Sequence, residues 1–579
     1  MKKLSPSLCS VFFLVFQIFI YGPFLIYQGN TDEFLIPLGS ILSTLLLPAV
    51  TLFLLLSLTG LALSGKAHRL YVSILFTLGV LIWLQGNFLV WKYGLLDGQG
   101  LDWSRGVWRG WVDGISWVAL LGLTYFFFKK VYRIVVPASV AITFILAASL
   151  LITSLQKPEI WASKEKPLHR LIPPEKIFEF SSGQNVIHFV LDAFRSDLFA
   201  EIVAEDMDHY SNSLEGFTFF RETNGSFPTT YMAVPAFLSG QIYKNTVPMR
   251  EFANRAIRGG TIARWLHNRG YETDLVSDPK FTQGERYSTR YRIAIPYGGT
   301  IGQYLRTTSA TMLDLVLFRD APHFLKRYIY NDERWLVQGL LDPGARHLGI
   351  RYFSHQAFLT DLIGNLSVKR EEPVYKFIHL MTTHPPVVVG KDCRYAPVSP
   401  ATREDIKIQD KCCLDHFLEF LDKLRSAGLY DSSLIILQAD HGLTRRIDMS
   451  NQEGLSEDAL SIGDVSLAEI AGSAATLMAI KPPQSRGPLK VSRAQVSLTD
   501  IPATISSLLD FDKPLSGRSA YDVDENEVRE RRFYFYRWRH GNWQSTYFPR
   551  LDEFIIKGSL FDRSSWQWKA TFYPPTRSN

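Results

Sequence analysis

The chain has 579 residues, 46% of them hydrophobic and 20% charged, which is too long for a single small module. Sixty-two Lys and Arg against 56 Asp and Glu leave a net charge of +6 with no local basic cluster, which disfavours a nucleic-acid groove and fits a membrane surface better. Long uncharged runs are confined to residues 1–155, whereas the remainder reads as a water-soluble domain, so a purely cytosolic enzyme is excluded.

A membrane-crossing helix needs about 20 mostly apolar residues, because backbone groups left unpaired in lipid are costly. Five stretches meet this length: Leu8 to Tyr27, Phe34 to Leu63, Leu70 to Trp91, Trp111 to Phe128 and Ile134 to Leu155. The fourth is weakened by Asp113 and two glycines at its start. Lys2 and Lys3, Lys66 and Arg69, and Lys129, Lys130 and Arg133 mark the cytoplasmic side by their positive charge. The alternate connections carry Asp32 and Glu33, then a Trp- and Gly-rich segment from Lys92 to Gly110. Five crossings place everything after about Gln156 on the outer face. The opening of the first stretch also looks like a signal peptide, but no small-residue cleavage site follows, so a permanent anchor is expected.

Residues 156–183, rich in Pro, Lys and Glu, read as a juxtamembrane linker. An α/β domain is expected over residues 184–525 and an aromatic-rich β subdomain over 526–579. Val186 to Leu191 forms an apolar run of strand length ending in Asp192. Val374 to Met381 ends near His384, and Leu434 to Leu437 ends near Asp440 and His441. Continuous apolar strands belong to a mostly parallel sheet with helices on both faces, and such sheets bind ligands at the carboxyl ends of their strands. Helical patterns follow at Gly260 to Arg269, Asp415 to Ala427 and Ile501 to Leu509. The tail from Arg532 to Trp568 shows period-two stretches that suggest a small antiparallel sheet, its aromatics used for packing or, in the alternative, turned to a lipid or a glycan. Of the four cysteines, Cys9 lies in the first apolar stretch. One disulfide between Cys393 and either Cys412 or Cys413 would close a loop of roughly 20 residues and stabilise by about 3 kcal/mol, the alternative being buried free thiols.

Thr230 opens a helix-compatible run after Pro228, where orphan N–H groups and the helix dipole favour an anion. Taken alone, Thr229 or Thr230 is best explained as a helix cap. Asp192, Asp440 and His441 change that reading, because two carboxylates, an imidazole and the Thr230 oxygen form an oxygen-rich set with one nitrogen that suits one zinc or manganese ion. A divalent ion is also what a threonine hydroxyl needs to become a nucleophile. Arg445 and Arg446 follow this turn and could hold a phosphate or be a solvated pair.

On these motifs the sequence resembles the alkaline-phosphatase-like sulfatase family and, within it, the membrane-anchored phosphoethanolamine and phosphoglycerol transferases of bacterial envelopes. The resemblance covers residues 185–510 and extends to the five-span anchor. It matches Asp192 in VLDAFRSD, with Arg195 and Asp197, to the first metal carboxylate, and Thr230 in TYMAVPAFLS, with Pro235, to the nucleophile. Asp440-His441-Gly442 matches the second metal pair, and His384 in TTHPP a substrate-side histidine. Asp500 looks like the family's late helix start, for which an N-cap suffices. Ala439 and Leu443 stand where relatives commonly have Ser and Glu, and Tyr231, Met232 and Ala233 replace the Pro-x-Arg pattern of true sulfatases. The Asp-x-x-x-His motif of two-metal relatives is missing, so one metal site is expected.

The resemblance implies a transferase that moves a phospho-alcohol head group from a phospholipid donor to an envelope glycan acceptor, such as lipopolysaccharide, through a phospho-threonine intermediate at Thr230. His384 would protonate a leaving oxygen or position the substrate. A sulfatase- or phosphodiesterase-type hydrolase would act on a soluble ester without a lipid donor. A catalytically silent envelope regulator would bind no divalent ion. A transporter is disfavoured, because the apolar stretches hold few charges that could line a path.

Overall fold

The computed structural model describes residues 4–31, 34, 36–91, 93, 103, 106–161, 173–278, 281, 287–293, 301–330, 335–341, 350–394, 396, 398, 400–450, 460–511, 517–537 and 546–575. Lys2, Lys3, Asp32 and Glu33, most of the segment from Lys92 to Gly110, and residues 162–172 of the expected linker lie outside the described residues. The chain forms two compact units. One comprises Met1–Leu171 and Gly299–Ile350, the other Ile172–Gly298 and Arg351–Asn579.

Among the described residues, the first unit holds four helices long and apolar enough to cross a membrane: Ser5–Gly29, Leu38–Ala62, Gly65–Asn87 and Val107–Gln156. This corrects the expected five. The predicted fourth and fifth spans fall in one helical segment of 50 residues, bent where Phe127 leaves helical geometry at φ −112° and ψ 22°. Between Thr124 and Val136 the sequence has no Gly, Pro, Asn or Asp, so the two helices that meet at this kink follow each other without an intervening loop. Several polar groups pair between these helices: Thr77 bonds Thr124 at 2.7 Å, Gln17 donates to the Gly79 carbonyl at 3.0 Å and Trp117 donates to Gln85 at 3.2 Å.

The strands of the second unit are, in chain order, β1 (Glu179–Ser181), β2 (Asn185–Leu191), β3 (Thr218–Phe220), β4 (Glu272–Val276), β5 (Thr289–Tyr291), β6 (Ser367–Arg370) and β7 (Val374–Leu380). They continue with β8 (Leu434–Gln438), β9 (Met478–Lys481), β10 (Lys490–Ser492), β11 (Glu530–Phe535), β12 (Leu551–Lys557) and β13 (Trp566–Phe572). Eight of them form one sheet in the order β10-β3-β9-β8-β2-β7-β4-β5. Every pairing in it is parallel except those of β9 with β3 and β8, so the sheet is mostly parallel. β1 pairs with β6, and β11, β12 and β13 form a separate antiparallel sheet.

Alternation along the central strands sorts their side chains onto two buried faces. Ile187, Phe189 and Leu191 point to the side covered by Phe199, Ile202, Phe417 and Leu421, from helices Ser196–Glu205 and Arg403–Ser426. Val186, Val190, Tyr375, Phe377, Leu434 and Ile436 point the other way, onto Met232, Val234 and Phe237 of helix Thr230–Ser239 and Ile505 of helix Ile501–Leu508. Helix Arg403–Ser426 begins twelve residues before the expected Asp415, where Thr402 and Asp405 form a capping box. Successive helical positions lie about 100° apart, so only one of two adjacent cysteines on this helix can face a given loop. Cys412 faces the loop carrying Cys393 and bonds to it, whereas Cys413 points into the core beside the Thr382 hydroxyl at 2.8 Å.

A non-reducing peptide map is expected to show Cys393 linked to Cys412 with Cys413 free. In denaturant titrations Cys393→Ser loses about 3 kcal/mol, the loop-closure contribution for this separation. A Cys393–Cys413 link, or an unchanged unfolding midpoint, would contradict the assignment.

Candidate metal centre

The registers of β7, β2 and β8 set His379, Val190 and Gln438 abreast. Asp192 and Asp440 lie two residues beyond Val190 and Gln438, so strand alternation sends both carboxylates and the His379 ring to one face. This is the face on which helix Thr230–Ser239 packs. Its N-cap is Thr229, in extended geometry, and the Thr229 hydroxyl pairs with that of Tyr536 and makes no cap bond. Thr230, the first helical residue, is free of capping duty. Its Oγ1 donates to Asp192 Oδ2 at 3.2 Å and lies 3.2 Å from His441 Nε2.

Around that hydroxyl the distances are short. His441 Nε2 is 3.5 Å from Asp192 Oδ1 and 3.5 Å from Asp440 Oδ2. His379 Nε2 faces Asp192 Oδ2 at 3.2 Å and Asp440 Oδ2 at 3.9 Å. Backbone N–H groups of Ala193 and His441 donate to Asp440 Oδ1 at 3.1 and 3.0 Å, which fixes that carboxylate and leaves Oδ2 turned to the site. His441 Nδ1 is held at 2.6 Å from the Gly442 carbonyl, which presents Nε2 to the site. Gly442 is required by the close approach behind it: a Cβ there would stand 2.1 Å from the Gly472 carbonyl oxygen.

The electrostatics follow from burial. Burial raises the affinity of the Asp192 carboxyl for a proton, but the fields of His384, His379 and His441 outweigh it and hold the group well below the usual carboxylate range. Burial pushes the His379 imidazole down, and Asp192, Asp440 and Asp278 more than reverse that.

These residues fit a metal ion. Asp192, His379 and Asp440 each offer a buried ligand atom, all within 4.8 Å of one another. Asp192 Oδ1, His379 Nε2 and Asp440 Oδ2 are buried without a hydrogen-bond partner, a costly condition that a shared cation relieves. With the Thr230 oxygen and His441 nitrogen alongside, the donor set is the mixed oxygen and nitrogen one that zinc or manganese accepts.

The structure thus brings Asp192, Thr230, Asp440 and His441 together. His384 Nδ1 pairs with the Pro385 carbonyl, and its field acts on Asp192. His379 was missed by sequence reasoning. Its signal is a lone histidine near the carboxyl end of an otherwise apolar strand, where a ligand is expected. Arg195, 1% exposed, pairs with Asp197 and reaches the carbonyls of Arg445 and Arg446 at 3.4 Å, tying down the loop after His441. Arg445 and Arg446 are themselves exposed, and Arg445 donates to the Ala401 carbonyl at 2.9 Å. Ala439, where relatives commonly carry Ser, is fully buried in the core. Asp500 is structural, since it closes a capping box with Ser497 and takes two bonds from Arg529.

A mostly parallel sheet with two acidic residues, two histidines and a threonine hydroxyl at its carboxyl edge defines an α/β enzyme fold with a metal-ready site. The family model described as Sulfatase matches residues 184–511, more than half of the chain, and the chain belongs to that family. Similar solved structures include a protein of the alkaline phosphatase superfamily from Vibrio parahaemolyticus, at 13% identity over 68% of this chain and 83% of that one, with a TM-score of 0.38. Others are the lipoteichoic acid synthase LtaP from Listeria monocytogenes (12% identity, 69% and 84% covered, TM-score 0.34) and the C-terminal periplasmic domain of EcEptC from Escherichia coli (11%, 66% and 96%, 0.36). No curated protein matches the chain.

Purified wild-type protein equilibrated with zinc or manganese is expected to retain one divalent ion by elemental analysis. His379→Ala and Asp440→Asn should each weaken retention by at least about tenfold, the lower bound for a group that only supports a ligand. Retention equal to wild type in both variants would remove the site.

Proposed function

We propose that the protein is a membrane-anchored, metal-dependent transferase of phospho-alcohol head groups, phosphoethanolamine or phosphoglycerol, from a phospholipid to an envelope glycan. The observation that carries this reading is the Thr230 hydroxyl, 3.2 Å from both Asp192 Oδ2 and His441 Nε2 at a helix N-terminus, in a chain with four apolar helices. A threonine in that position favours group transfer through a phosphothreonine.

Asp192, Asp440, His441, His379 and Thr230 would hold one zinc or manganese ion, which supplies charge neutralisation at the phosphoryl oxygens and a lowered hydroxyl pKa. Thr230 Oγ1 would give up its proton to solvent and bond to the donor's phosphorus, and the bond from phosphorus to the diacylglycerol oxygen breaks. His384 gives that oxygen its proton, so diacylglycerol leaves as an alcohol. An acceptor hydroxyl then attacks the phosphorus and gives its proton to His384, which the first step left neutral, while the bond to Thr230 breaks and the threonine oxygen takes a proton back from solvent. The helix start stabilises negative charge in both steps.

The proposal places the catalytic unit on the outer, periplasmic face of a bacterial inner membrane. The 50-residue helical segment is long enough for two crossings, at about 1.5 Å per residue against a core of about 30 Å. Its first half bonds helix Gly65–Asn87 through Thr124 and Trp117, and Val135 and Leu146 of its second half pack with Phe13, Phe16 and Tyr21 of the first helix.

A hydrolase using the same residues, with water as acceptor, is the second reading, favoured by the Sulfatase family match itself. Dependence of turnover on a lipid donor separates the two.

Envelope glycans compared by intact mass in cells making wild type or Thr230→Ala at equal levels are expected to differ by one head group. Transfer by the variant should fall on the order of 10³-fold or more. Identical profiles would reject the transferase.

A further inference from the structure

Residues 301–341 lie in sequence between β5 and β6, yet they cluster with the apolar N-terminal helices. The attachment is tight. Helix Ile301–Asp320 lies so close to the first helix that a Cβ on Gly22 would stand 2.7 Å from Val316 Cγ1. At its far end Arg319 donates to the Gly86 carbonyl, and a Cβ on Gly86 would meet Asp320 Oδ1 at 2.3 Å. Helix His323–Tyr330 begins on Asp113, whose Oδ2 accepts from the His323 N–H at 2.9 Å while Oδ1 accepts from Trp91 at 2.9 Å. Phe324 sits over Gly110, edge-on to Trp111 with ring centres 6.4 Å apart.

What this insertion leaves exposed is inverted for a surface in water. In helix His323–Tyr330 the inward positions are His323, Lys326, Ile329 and Tyr330, and the outward ones include Phe324, Leu325 and Tyr328, exposed by 47%, 50% and 58%. In Leu336–Leu341 the buried residues are Gln338 and Gly339, while Leu336, Leu340 and Leu341 are exposed by 45%, 67% and 67%. Asp314 accepts from the N–H groups of Val337 and Gln338 at 2.7 and 2.8 Å, which holds the polar side of that turn inward. A helix covered by water shows the opposite pattern.

The exposed face runs on into the exposed apolar side of helix Val107–Gln156, where Trp108 and Trp111 are 57% and 64% exposed next to Phe324. Arg327 lies over the Tyr328 ring at 4.5 Å. Trp, Tyr and Arg bordering an apolar face are the side chains that settle at the boundary between acyl chains and head groups.

From these observations we infer that helices His323–Tyr330 and Leu336–Leu341 form an interfacial membrane-docking element whose Phe324, Leu325, Tyr328, Leu336, Leu340 and Leu341 enter the lipid head-group and acyl boundary. The inference rests on the membrane-anchor reading proposed above. The element lies in the plane of the membrane and does not span it, entering by about 5–10 Å. The chain passes between the two units at 171/172, 298/299 and 350/351, so docking here adds to the N-terminal attachment.

The test uses full-length protein in phosphatidylethanolamine and phosphatidylglycerol vesicles, with Cys9→Ser and Cys413→Ser leaving the disulfide as the remaining cysteine pair. Nitroxide labels are placed singly at Leu340→Cys and Leu325→Cys, with Leu47→Cys on helix Leu38–Ala62 and Asp422→Cys as lipid and water references. At positions 340 and 325 the ratio of oxygen to nickel-chelate collision is expected to be several-fold above that at 422. A water-like ratio there with a lipid-like ratio at 47 overturns the element and leaves the anchor standing. Exclusion of both reagents at 340 and 325 also overturns it, because protein then covers the face. A water-like ratio at 47 as well removes the anchor and the element together.

Discussion

Two carboxylates, Asp192 and Asp440, are buried at the ends of adjacent strands with ligand atoms no more than 4.8 Å apart. At an effective dielectric of about 20, two negative charges at that separation repel by roughly 3 kcal/mol, before the cost of removing each from water. Two backbone N–H groups on Asp440 and one threonine hydroxyl on Asp192 do not neutralise such a pair. Two histidines stand against it, and a divalent cation is the simplest counter-charge this donor set can hold. The arrangement of strands, turn and helix Thr230–Ser239 can be understood as what places a hydroxyl beside that charge.

Much of the second unit serves to fix the hydroxyl's position. The segment leading to Thr230 is held from two sides: Asn224 pairs through its backbone with Val496 and Leu498 and donates from its side chain to the Arg532 carbonyl, while the Tyr534 N–H donates to the Ser226 carbonyl. Tyr536, just past β11, takes the Thr229 hydroxyl. The aromatic C-terminal sheet therefore braces the start of helix Thr230–Ser239. On the opposite side, Gly442 and Gly472 let the turn carrying His441 approach the end of helix Leu467–Ala474 at distances that a Cβ on either would forbid. Positioning of this kind lowers a barrier by having the geometry in place before the substrate arrives.

How much of this was legible in the sequence depended on how ordinary each element's polarity was. β2, β7 and β8 read clearly because they are apolar runs buried on both faces, and their ends marked Asp192, Asp440 and His441. β4 did not, because Glu272 and Asp274 look like a solvated stretch until the fold supplies Lys376, 2.6 Å from Asp274, and Arg370, 3.1 Å from Glu272. β3 and β10, of three residues each, are too short for any period to show. His379 was hidden by register: only the pairing of β2 with β7 reveals that it shares a face with Asp192. The fourth and fifth spans were separated on charge, and in the fold they meet at the Phe127 kink with no loop between them, within one helical segment. The place of residues 301–341 beside the apolar helices rests on contacts distant in sequence, such as His323 with Asp113, which no local pattern encodes.

Function on this account is a matter of supply and charge together: apolar helices hold the chain where lipid donors are concentrated, and one cation makes a threonine reactive there. The most direct measurement is anomalous diffraction at the zinc edge from crystals of the zinc-loaded, full-length protein. The account predicts one strong peak at bonding distance, about 2.0–2.2 Å, from carboxylate oxygens of Asp192 and Asp440, with a histidine nitrogen and Thr230 Oγ1 completing its shell. A peak bound elsewhere, or one that leaves Thr230 Oγ1 outside its coordination, would contradict it.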